Sequence, residues 1–546
     1  MKNSLPMLDG PRFDFRANQQ YRIDASEWAK VADDPQAMIK MVQWLIDDHY
    51  TYQVPRILTL ERYYNGDNDI IYWKSKKAAD RADNRIASGL PHYSTDINTG
   101  YELGNPLTYG YTNPDDEDDD GGKILPLIEN VNAKNDMGFH DKELGKAIHN
   151  TGRGYELTYV KEGTHEIAVR DIDPANCFVV YDTTLARHSL FAVYYYLSEF
   201  LGKDTFYATV FTSKANYYYR IEGNTPQGDM IFLRREDQYM FDVPVTEFDL
   251  NRERMGQWER KLSTIDAIDK ANSEMANSEE DFSNSILVIS GDIDDPDAGT
   301  NGEGVDYDEP LKDSPFTSPM PLPKGAINPL SRILYLKPSV VDTGNGQYQA
   351  VPTSAKYLTK SLDPDGWKLY IDHLINDFHK ESNSPDMSDE QFSGNATGVA
   401  FSYKLLGTDQ ERSNFETLFR RGIMRRVRLM ANYWYLISSL DNQEFSEVNN
   451  VTVTFTPNLP KADSEMIQNL TALSNMQAFS KQTIRDKASD WTGVSAEQEA
   501  QRVKQEEQDE LNREDGLYQS HFGTDQEKNG GGVDGHEPDE NPAADN

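Results

Sequence analysis

The sequence of 546 residues predicts an α+β fold, with a β-rich region and several long helices in separate parts of the chain. Between residues 155 and 234, short segments rich in Tyr, Val, Phe and Thr are bounded by Gly, Asn or Asp, as antiparallel strands are. Apolar residues recur at helical spacing before and after this region. The composition, 37% hydrophobic with 30 Tyr and 22 Phe, is globular, and the chain is long enough for more than one core.

The N-terminal half, residues 1–251, is predicted to be an α/β domain. Apolar residues recur every three or four positions within residues 35–64, which predicts a helix that ends at the turn Asn65-Gly66. The stretch "TGYELGNPLTY" at 99–109 predicts a helix end, a turn and the start of a strand. The antiparallel strands are predicted at residues 155–161, 165–170, 177–181, 189–198, 205–212, 216–221 and 230–234.

The segment after residue 251 is predicted to begin and end with a helix. Residues 252–283 and 355–384 each have a narrow apolar face at helical spacing and are each predicted as one helix. Between them, residues 284–354 contain the strand-like sequences "SILVIS" and "RILYL". They also contain a Gly-, Asp- and Pro-rich insert at 291–328, which we predict to be loop or extended chain.

A flexible loop is predicted at residues 385–398. We expect Pro385 to end the preceding helix, because proline lacks an amide donor and disfavours helical geometry in the residue before it. Residues 399–460 are predicted to form a long helix, in which Gly422 allows a bend, and then the strand "VTVTFT". The remaining segments are predicted as helices at 461–515 and a disordered acidic tail at 516–546.

The chain is strongly acidic, with a net charge of −37 from 54 basic and 91 acidic side chains. This charge argues against a protein that grips nucleic acid by neutralising its phosphates. It is compatible with a passage through which DNA moves without binding, because like charges repel. It is equally compatible with acidic side chains that only maintain solubility.

The sequence indicates a reducing, aqueous compartment. Cys177 is the single cysteine, which excludes an intramolecular disulfide and a cysteine-based zinc or redox site. The first residues, "MKNSLPMLDG", lack the apolar core of a secretory signal. No apolar run approaches the roughly 18 residues that predict a membrane span.

Motifs for nucleotide or metal chemistry are missing from the sequence. It has no Gly-rich phosphate loop ending in Gly-Lys-Ser/Thr and no His-Glu-x-x-His. His373 and His379 are six positions apart and so do not share a helix face as a zinc pair would, which favours surface or interface histidines. No catalytic, cofactor-binding or metal-binding residue is therefore predicted.

The acidic turn "PDDEDDDGG" resembles the start of a calcium loop. Asp116, Asp118, Asp120 and Gly121 occupy the expected places, but position twelve is Leu127 instead of a bidentate Glu. We therefore favour a solvated turn.

The densest basic cluster is "RRGIMRRVR", residues 420–428. One hypothesis is a DNA-contacting patch that uses phosphate contacts. The other, which we favour, is a solvated helix face whose arginines pair with neighbouring acidic chains in an assembly. The residues concerned are Arg420, Arg421, Arg425, Arg426 and Arg428.

Four stretches, in the same order, resemble the portal proteins of long-tailed double-stranded DNA bacteriophages, which connect head to tail. They are "ERYYNGDNDI" continuing into "TGYELGNPLTY", residues 265–291, "NSPDMSDEQFSGNATGVAFSYKLLG" and "NLPKADSEMIQNL". Each stretch alone is of moderate specificity, whereas four in register are strong. The sequence departs from the family at the acidic turn 114–122 and at the insert 291–328.

The resemblance implies a phage portal fold in a ring of twelve subunits around a DNA channel. Residues 1–251 would form a β-rich wing, and helices 252–283 and 355–384 would form the stem. Residues 284–354 would form a small α/β clip facing the terminase motor and later the adaptor, and residues 461–515 a helical crown.

The loop at 385–398 would then be a tunnel loop that projects into the channel and touches passing DNA. Its glycines permit backbone angles closed to other residues, so the loop could re-form as subunits shift. The residues implied to line the channel are Met387, Gln391, Phe392, Ser393, Gly394, Asn395, Thr397 and Gly398.

The resemblance further implies a structural, non-enzymatic protein of the virion, located at the capsid portal vertex and made in the host cytoplasm. The implied partners are copies of the chain, the terminase large subunit, a head-completion or adaptor protein, the major capsid and scaffolding proteins, and double-stranded DNA. No membrane partner and no cofactor are expected. An acidic, Tyr-rich carbohydrate hydrolase stays the alternative, because 91 acidic residues offer many carboxylate pairs.

Overall fold

The computed structural model divides the chain into two compact units, which are described separately. The smaller unit comprises Met1–Leu5, Asn68–Ser88 and Thr264–Asp377, and the larger unit comprises Pro6–Asp67, Gly89–Ser263 and Phe378–Asn546. The residues that the structure describes are 12–73, 82–113, 121–200, 203–282, 286–290, 292–293, 336–337, 339–342, 348–351, 354–358, 363–387, 398–458, 471–475, 480–492, 494 and 496–522.

Twelve α-helices of the described residues are numbered in chain order. They are α1 (Ala25–Ala29), α2 (Ile39–Asp48), α3 (Val54–Tyr64), α4 (Leu90–Leu103), α5 (Ile124–Asn135), α6 (Met137–Thr151), α7 (Leu262–Phe282), α8 (Pro364–Glu381), α9 (Gly398–Leu436), α10 (Asn442–Glu447), α11 (Lys481–Thr492) and α12 (Ala496–Phe522). A π-helical turn, His49–Gln53, joins α2 to α3.

The strands form a set of small sheets. They are β1 (Tyr21–Ile23), β2 (Thr108–Tyr111), β3 (Arg153–Val160), β4 (Ile167–Ile172), β5 (Cys177–Asp182), β6 (Ser189–Phe200), β7 (Lys203–Phe211), β8 (Ala215–Glu222), β9 (Asp229–Asp237), β10 (Val245–Asp249), β11 (Ile286–Ser290), β12 (Asp292–Ile293), β13 (Leu336–Lys337), β14 (Ser339–Asp342), β15 (Tyr348–Val351), β16 (Ser354–Leu358) and β17 (Val451–Thr454).

The larger unit is built on a six-stranded sheet of order β1-β5-β6-β7-β8-β9. Strand β1 runs parallel to β5, and the other neighbours are antiparallel. Helix α2 buries Val42 and Leu45 in the same core cluster as Phe178 and Tyr219 of the sheet. The apolar face of α2, set by helical periodicity, and the apolar face of the sheet, set by the alternation of side chains along each strand, therefore pack into one shared core.

A second core of the larger unit forms around the long helix α9. Its buried residues Phe415, Phe419 and Ile423 belong to one cluster with Phe248 of β10. A Cβ at Gly422 would lie 2.2 Å from a carbon of the Phe248 ring. Gly422 therefore permits close packing of the helix on the β10-β3-β4 sheet, and α9 runs as one helix through this position.

The smaller unit contains three two-stranded ladders, β11-β16, β12-β13 and β14-β15. It also contains an extended segment, residues 82–88, that lies along α7. The side chains of Asp269, Ser273 and Asn277, four residues apart and buried, accept hydrogen bonds from backbone amides of this segment at 2.7, 2.9 and 2.5 Å. Four residues of a helix and two residues of an extended chain span nearly the same length. Every second amide of the extended segment therefore lies beside every fourth residue of α7.

The predicted α+β class is confirmed, as are the strands between residues 155 and 234, each within a few residues. Three predicted boundaries are wrong. Helix α7 begins at Leu262 instead of 252, after a 3-10 turn, and residues 354–358 form strand β16 instead of the start of a helix. Helix α12 continues to Phe522, so the predicted disordered tail does not begin at residue 516.

Several predictions concern residues outside the described ranges. They are the acidic turn at 114–120, most of the insert 291–328, residues 523–546 and the first four residues of "RILYL", of which Leu336 is in β13. Within the described ranges, the helices are too short or too polar to cross a membrane.

Candidate functional site

The end of α8 fixes where the predicted tunnel loop begins. Asn383 adopts a left-handed backbone conformation with φ of 52°, and the Ser384 amide donates to the His379 carbonyl at 3.2 Å. This geometry is a helix terminator in which the residue after the cap is left-handed. The expectation that Pro385 ends the helix is therefore wrong, because the helix ends at Glu381 and the proline lies beyond the terminator.

Ser384 anchors the chain to helix α4. Its side chain is buried, and its hydroxyl lies 2.5 Å from the Ser94 hydroxyl. It also accepts a hydrogen bond from the Asn98 amide nitrogen at 2.8 Å. The Ser384 carbonyl lies 3.0 Å from His379 Nδ1. Hydroxyl and carbonyl are thus both bonded, which holds the residue in one position.

Tyr93 of α4 holds the next three residues. Its hydroxyl donates to the Pro385 carbonyl at 2.9 Å and accepts from the Met387 amide at 2.7 Å. Burial raises the pKa of this phenol, so it remains a protonated donor at neutral pH. The ring also meets His379 edge-on, with centroids 5.6 Å apart. One side chain therefore fixes the backbone on both sides of Asp386.

The long helix α9 meets the same base. Thr408 is buried and donates its hydroxyl proton to the Asn383 carbonyl at 2.9 Å. The start of the loop is therefore tied both to α4 and to the third turn of α9. We call the group Tyr93, Ser94, Asn98, Ser384 and Thr408 the loop base.

Most residues of the predicted tunnel loop lie outside the described residues: Gln391, Phe392, Ser393, Gly394, Asn395 and Thr397. Met387 is described, and its side chain is 42% exposed. Gly398 is the first residue of α9, so it lies in a helix and not in the loop.

The loop base was not predicted from sequence. Its α4 residues lie within "PHYSTDINT", where the small polar residues Ser94, Thr95, Asn98 and Thr99 are all buried. The available signal was their spacing, since positions i, i+1, i+4 and i+5 share one helix face. From sequence alone, a polar helix face of this kind cannot be distinguished from one exposed to solvent. The segment that it contacts, around Ser384, is apparent only in the structure.

Of the basic cluster, Arg426 is buried and pairs with carboxylates of the larger unit. Its guanidinium donates to both oxygens of Glu156 on β3, at 2.9 Å for the Nε–Oε1 pair, and to Asp141 of α6 at 2.7 Å. Burial alone would raise the pKa of Glu156, but Arg426 and His140 lower it to about 2. Arg426 therefore cannot present its charge to DNA, and the patch hypothesis is wrong for this residue.

The other four arginines are more accessible. Arg425 pairs with Asp242 at 3.2 Å, and Arg420 donates to the Val453 carbonyl at 3.3 Å. Arg428, which is exposed, donates to Asn449 at 2.9 Å, and Arg421 is also exposed. Arg420, Arg425 and Arg428 thus have partners within the chain, and of the three partners named here only Asp242 is acidic. Pairing of these arginines with acidic groups of other subunits stays a prediction.

His140, Asp141 and Glu156 come within 4.8 Å of one another and could in principle hold a metal ion. His140 Nε2 lies 2.9 Å from Glu156 Oε2. The Arg426 guanidinium occupies the position between the two carboxylates, and its positive charge would repel a metal cation. We therefore interpret the group as an ion-paired core, here called the Arg426 cluster.

The family model described as "Phage portal protein, SPP1 Gp6-like" matches residues 44–513. A search of curated proteins gives no significant match. Similar solved structures include a chain from a virion of a native gene transfer agent (GTA) particle, with 12% identity, 80% of this chain and 93% of that chain covered, and a TM-score of 0.35.

Two further similar chains come from GTA necks. One is from the neck of a native particle computed with C12 symmetry, with 12% identity, coverage of 79% and 92%, and a TM-score of 0.35. The other is from the neck of an empty particle computed with C6 symmetry, with 12% identity, coverage of 73% and 89%, and a TM-score of 0.33.

We predict that Tyr93→Phe loosens the loop base without unfolding the protein. The change removes both hydrogen bonds of the hydroxyl, each worth about 1 kcal/mol net. Amide hydrogen exchange of a peptide covering residues 382–390 should accelerate up to about thirtyfold, the factor that corresponds to about 2 kcal/mol. Tyr64→Phe, which removes an exposed bond to Asp96, is the control and should leave this peptide unchanged. Equal exchange in both variants would contradict the assignment.

We predict that Arg426→Met lowers the free energy of unfolding by about 3–5 kcal/mol at pH 7, because buried carboxylates lose their cation. In the parent, the pKa of Glu156 is lowered from its ordinary value of 4.5 to about 2. The charged carboxylate therefore stabilises the fold at pH values above 4.5, and this stabilisation is lost as the pH falls from 4.5 toward 2. In the variant burial raises that pKa, so the difference in stability should shrink between pH 7 and pH 4.

Denaturant unfolding at several pH values measures this dependence. The matched control is Arg421→Met, which removes an exposed arginine of the same helix and should change the free energy of unfolding little at any pH. A deficit in Arg426→Met that is independent of pH would contradict the ionic interpretation.

Proposed function

The chain belongs to the SPP1 Gp6-like family of phage portal proteins, and from this membership we propose that it forms the DNA channel of a capsid vertex. Copies of the chain assemble into a ring, with twelve subunits as the expected number. DNA is packaged through the ring by the terminase motor and is later ejected through it. The observation that supports this function is the family match over residues 44–513.

The partners in this proposal follow the stages of assembly. The terminase large subunit and, after it, a head-completion or adaptor protein bind the clip at residues 284–354. The major capsid and scaffolding proteins surround the ring in the virion, and the chain is made in the host cytoplasm. Residues 1–251 serve as the wing, the helices around α7 and α8 as the stem, and residues 461–515 as the crown.

The role is structural, as in the family, and we propose no reaction. The hydrolase alternative has no support from the family match, which covers most of the chain. Within the described residues, the buried carboxylates Glu156, Glu247 and Glu259 are paired with arginines. Neighbouring arginines lower the pKa values of Glu156 and Glu247, so these two carboxylates do not serve as proton donors at neutral pH.

The loop base gives this proposal a physical basis. A loop that meets moving DNA experiences force along the channel, so its attachment to the body of the subunit must be firm. Ser384 and Tyr93 provide five hydrogen bonds between them at 2.5–3.0 Å. We propose that residues 388–397 contact DNA and that the loop base holds in place the residues that directly precede them.

We predict that lysines at Ser393 and Asn395 slow DNA packaging while the ring still assembles. Added positive charge in the channel attracts phosphates and retards the strand, and salt should weaken this effect. Packaging rates into procapsids that contain the variant, measured over a range of salt concentrations, test the prediction.

The control places the same charge elsewhere. Thr183 and Ser446 are exposed positions of the larger unit, and their replacement by lysine adds two charges without changing the loop. This control should package at the parental rate. If the loop variant also does so at low salt, the loop does not meet the DNA.

A further inference from the structure

The hairpin between β5 and β6, in the larger unit, has a leucine at its tip. The side chain of Leu185 is fully exposed, and its neighbours Thr184, Ala186 and Arg187 are exposed as well. A single exposed leucine is ordinary on a protein surface. This leucine differs in its surroundings, because the hydrogen bonds of the hairpin fix the loop that carries it and an unpaired arginine follows it.

Hydrogen bonds at the base of the hairpin hold the tip in one conformation. The Asp182 carboxylate accepts from the amide and the hydroxyl of Thr184, at 3.1 and 2.7 Å. The Asp182 amide donates to the His188 carbonyl at 2.9 Å, which closes the loop. The bond from the Thr184 hydroxyl lowers the pKa of Asp182, so the carboxylate is charged at neutral pH. The tip is therefore ordered before a partner binds, which reduces the entropy lost on binding.

Arg187, two residues after the leucine, adopts a left-handed backbone conformation with φ of 54°. This conformation costs free energy for residues other than glycine and is often retained where a residue has a function. Among the described residues, no carboxylate pairs with the exposed guanidinium of Arg187. The tip therefore presents an apolar side chain followed by a cation that lacks a counter-charge within this part of the chain.

A cleft elsewhere in the larger unit has the complementary character. Its volume is about 280 Å³, and its lining includes Pro106, Leu107, Met137 and Asp136. A cavity of about 150 Å³ can hold benzene, so this cleft has room for a leucine side chain. Asp136 is exposed, and its carboxylate forms no ion pair with any of the described residues. The cleft thus offers apolar contacts and an unpaired carboxylate at one place.

The hairpin and the cleft lie on different sides of α9. Arg425 donates to the Ser189 hydroxyl, next to the tip, at 2.9 Å. Arg426 donates to Asp141, which lines the cleft, at 2.7 Å. Successive residues of a helix point about 100° apart, so the tip of a chain is directed away from the cleft of the same chain. The full exposure of Leu185 agrees with this geometry.

We propose that the β5–β6 hairpin of one subunit inserts Leu185 into this cleft of the next subunit, where Arg187 pairs with the Asp136 carboxylate. The interface rests on the proposed ring of subunits and specifies one of its contacts. It joins two different surfaces of the same chain, and repetition of such a contact generates a ring when the rotation closes.

A second cleft of the larger unit fits the hairpin less well. Its volume is about 140 Å³, and its lining includes Trp434, Lys134 and Glu166. The Glu166 carboxylate is already paired with Lys134 at 2.8 Å and is therefore a poor partner for Arg187. Charge and size thus both favour the first cleft.

Charge exchange tests the pairing of the two residues. Arg187→Glu and Asp136→Lys should each raise the concentration at which half of the chains are assembled by about tenfold or more, because like charges then meet. The double variant restores opposite charges and should recover most of this loss. Arg252→Glu, which changes another exposed loop arginine of the larger unit, is the control and should assemble like the parent. A double variant that assembles no better than the weaker single variant would overturn the proposal.

Disulfide cross-linking of the full chain shows which surfaces meet. In a variant with Leu185→Cys and Ala133→Cys, the second of which lines the cleft, mild oxidation should give a ladder of covalent oligomers on a denaturing gel. The control combines Leu185→Cys with Ser439→Cys, which lines the second cleft, and should give no ladder. The natural Cys177 is buried and does not interfere.

Electron microscopy of the same samples separates this interface from the ring itself. Annular particles whose subunits stay unlinked in the Leu185→Cys, Ala133→Cys variant, or become linked only in the control, would overturn the interface and leave the proposed function intact. If neither the parent nor the variants form annular particles, the proposed ring is wrong, and this interface is wrong with it.

Discussion

The pairing of Arg426 with Glu156 and Asp141 positions the long helix on which the candidate site depends. Arg426 lies near the middle of α9, while its partners belong to β3 and α6, so one buried guanidinium ties three elements together. Gly422, one turn earlier, lets the helix approach Phe248 closely. With α9 held in this way, Thr408 meets the Asn383 carbonyl, and the start of the loop is fixed.

The same arrangement holds the residues just before the predicted tunnel loop in place. The residues just before the loop are bonded through backbone and side chain to α4 and α9. Apart from Phe392, the loop sequence consists of small, polar and acidic residues, with Gly394 among them. Small polar residues and acidic side chains suit contact with DNA that must move on, since neither attracts phosphate strongly. The chain's net charge of −37 agrees with this requirement.

Sequence patterns predicted the elements but not the interactions between them. The strands from 155 to 234 were recognisable because alternation and turn residues are local signals. The loop base and the Arg426 cluster were not, because most of their partners are far apart in the chain, 294 positions for Tyr93 and Met387 and 270 for Arg426 and Glu156. The end of α8 was misplaced for a different reason: the helix ends at Glu381, before the left-handed residue Asn383, and the more conspicuous Pro385 lies beyond both. The interpretation of residues 388–397 still rests on resemblance.

The proposed ring of subunits is tested most directly by the mass and shape of the particle. Light scattering and electron microscopy of the purified protein should give a mass near twelve times 62.1 kDa and annular particles with a central channel. A monomer or compact dimer at all concentrations, without annular particles, would contradict the account.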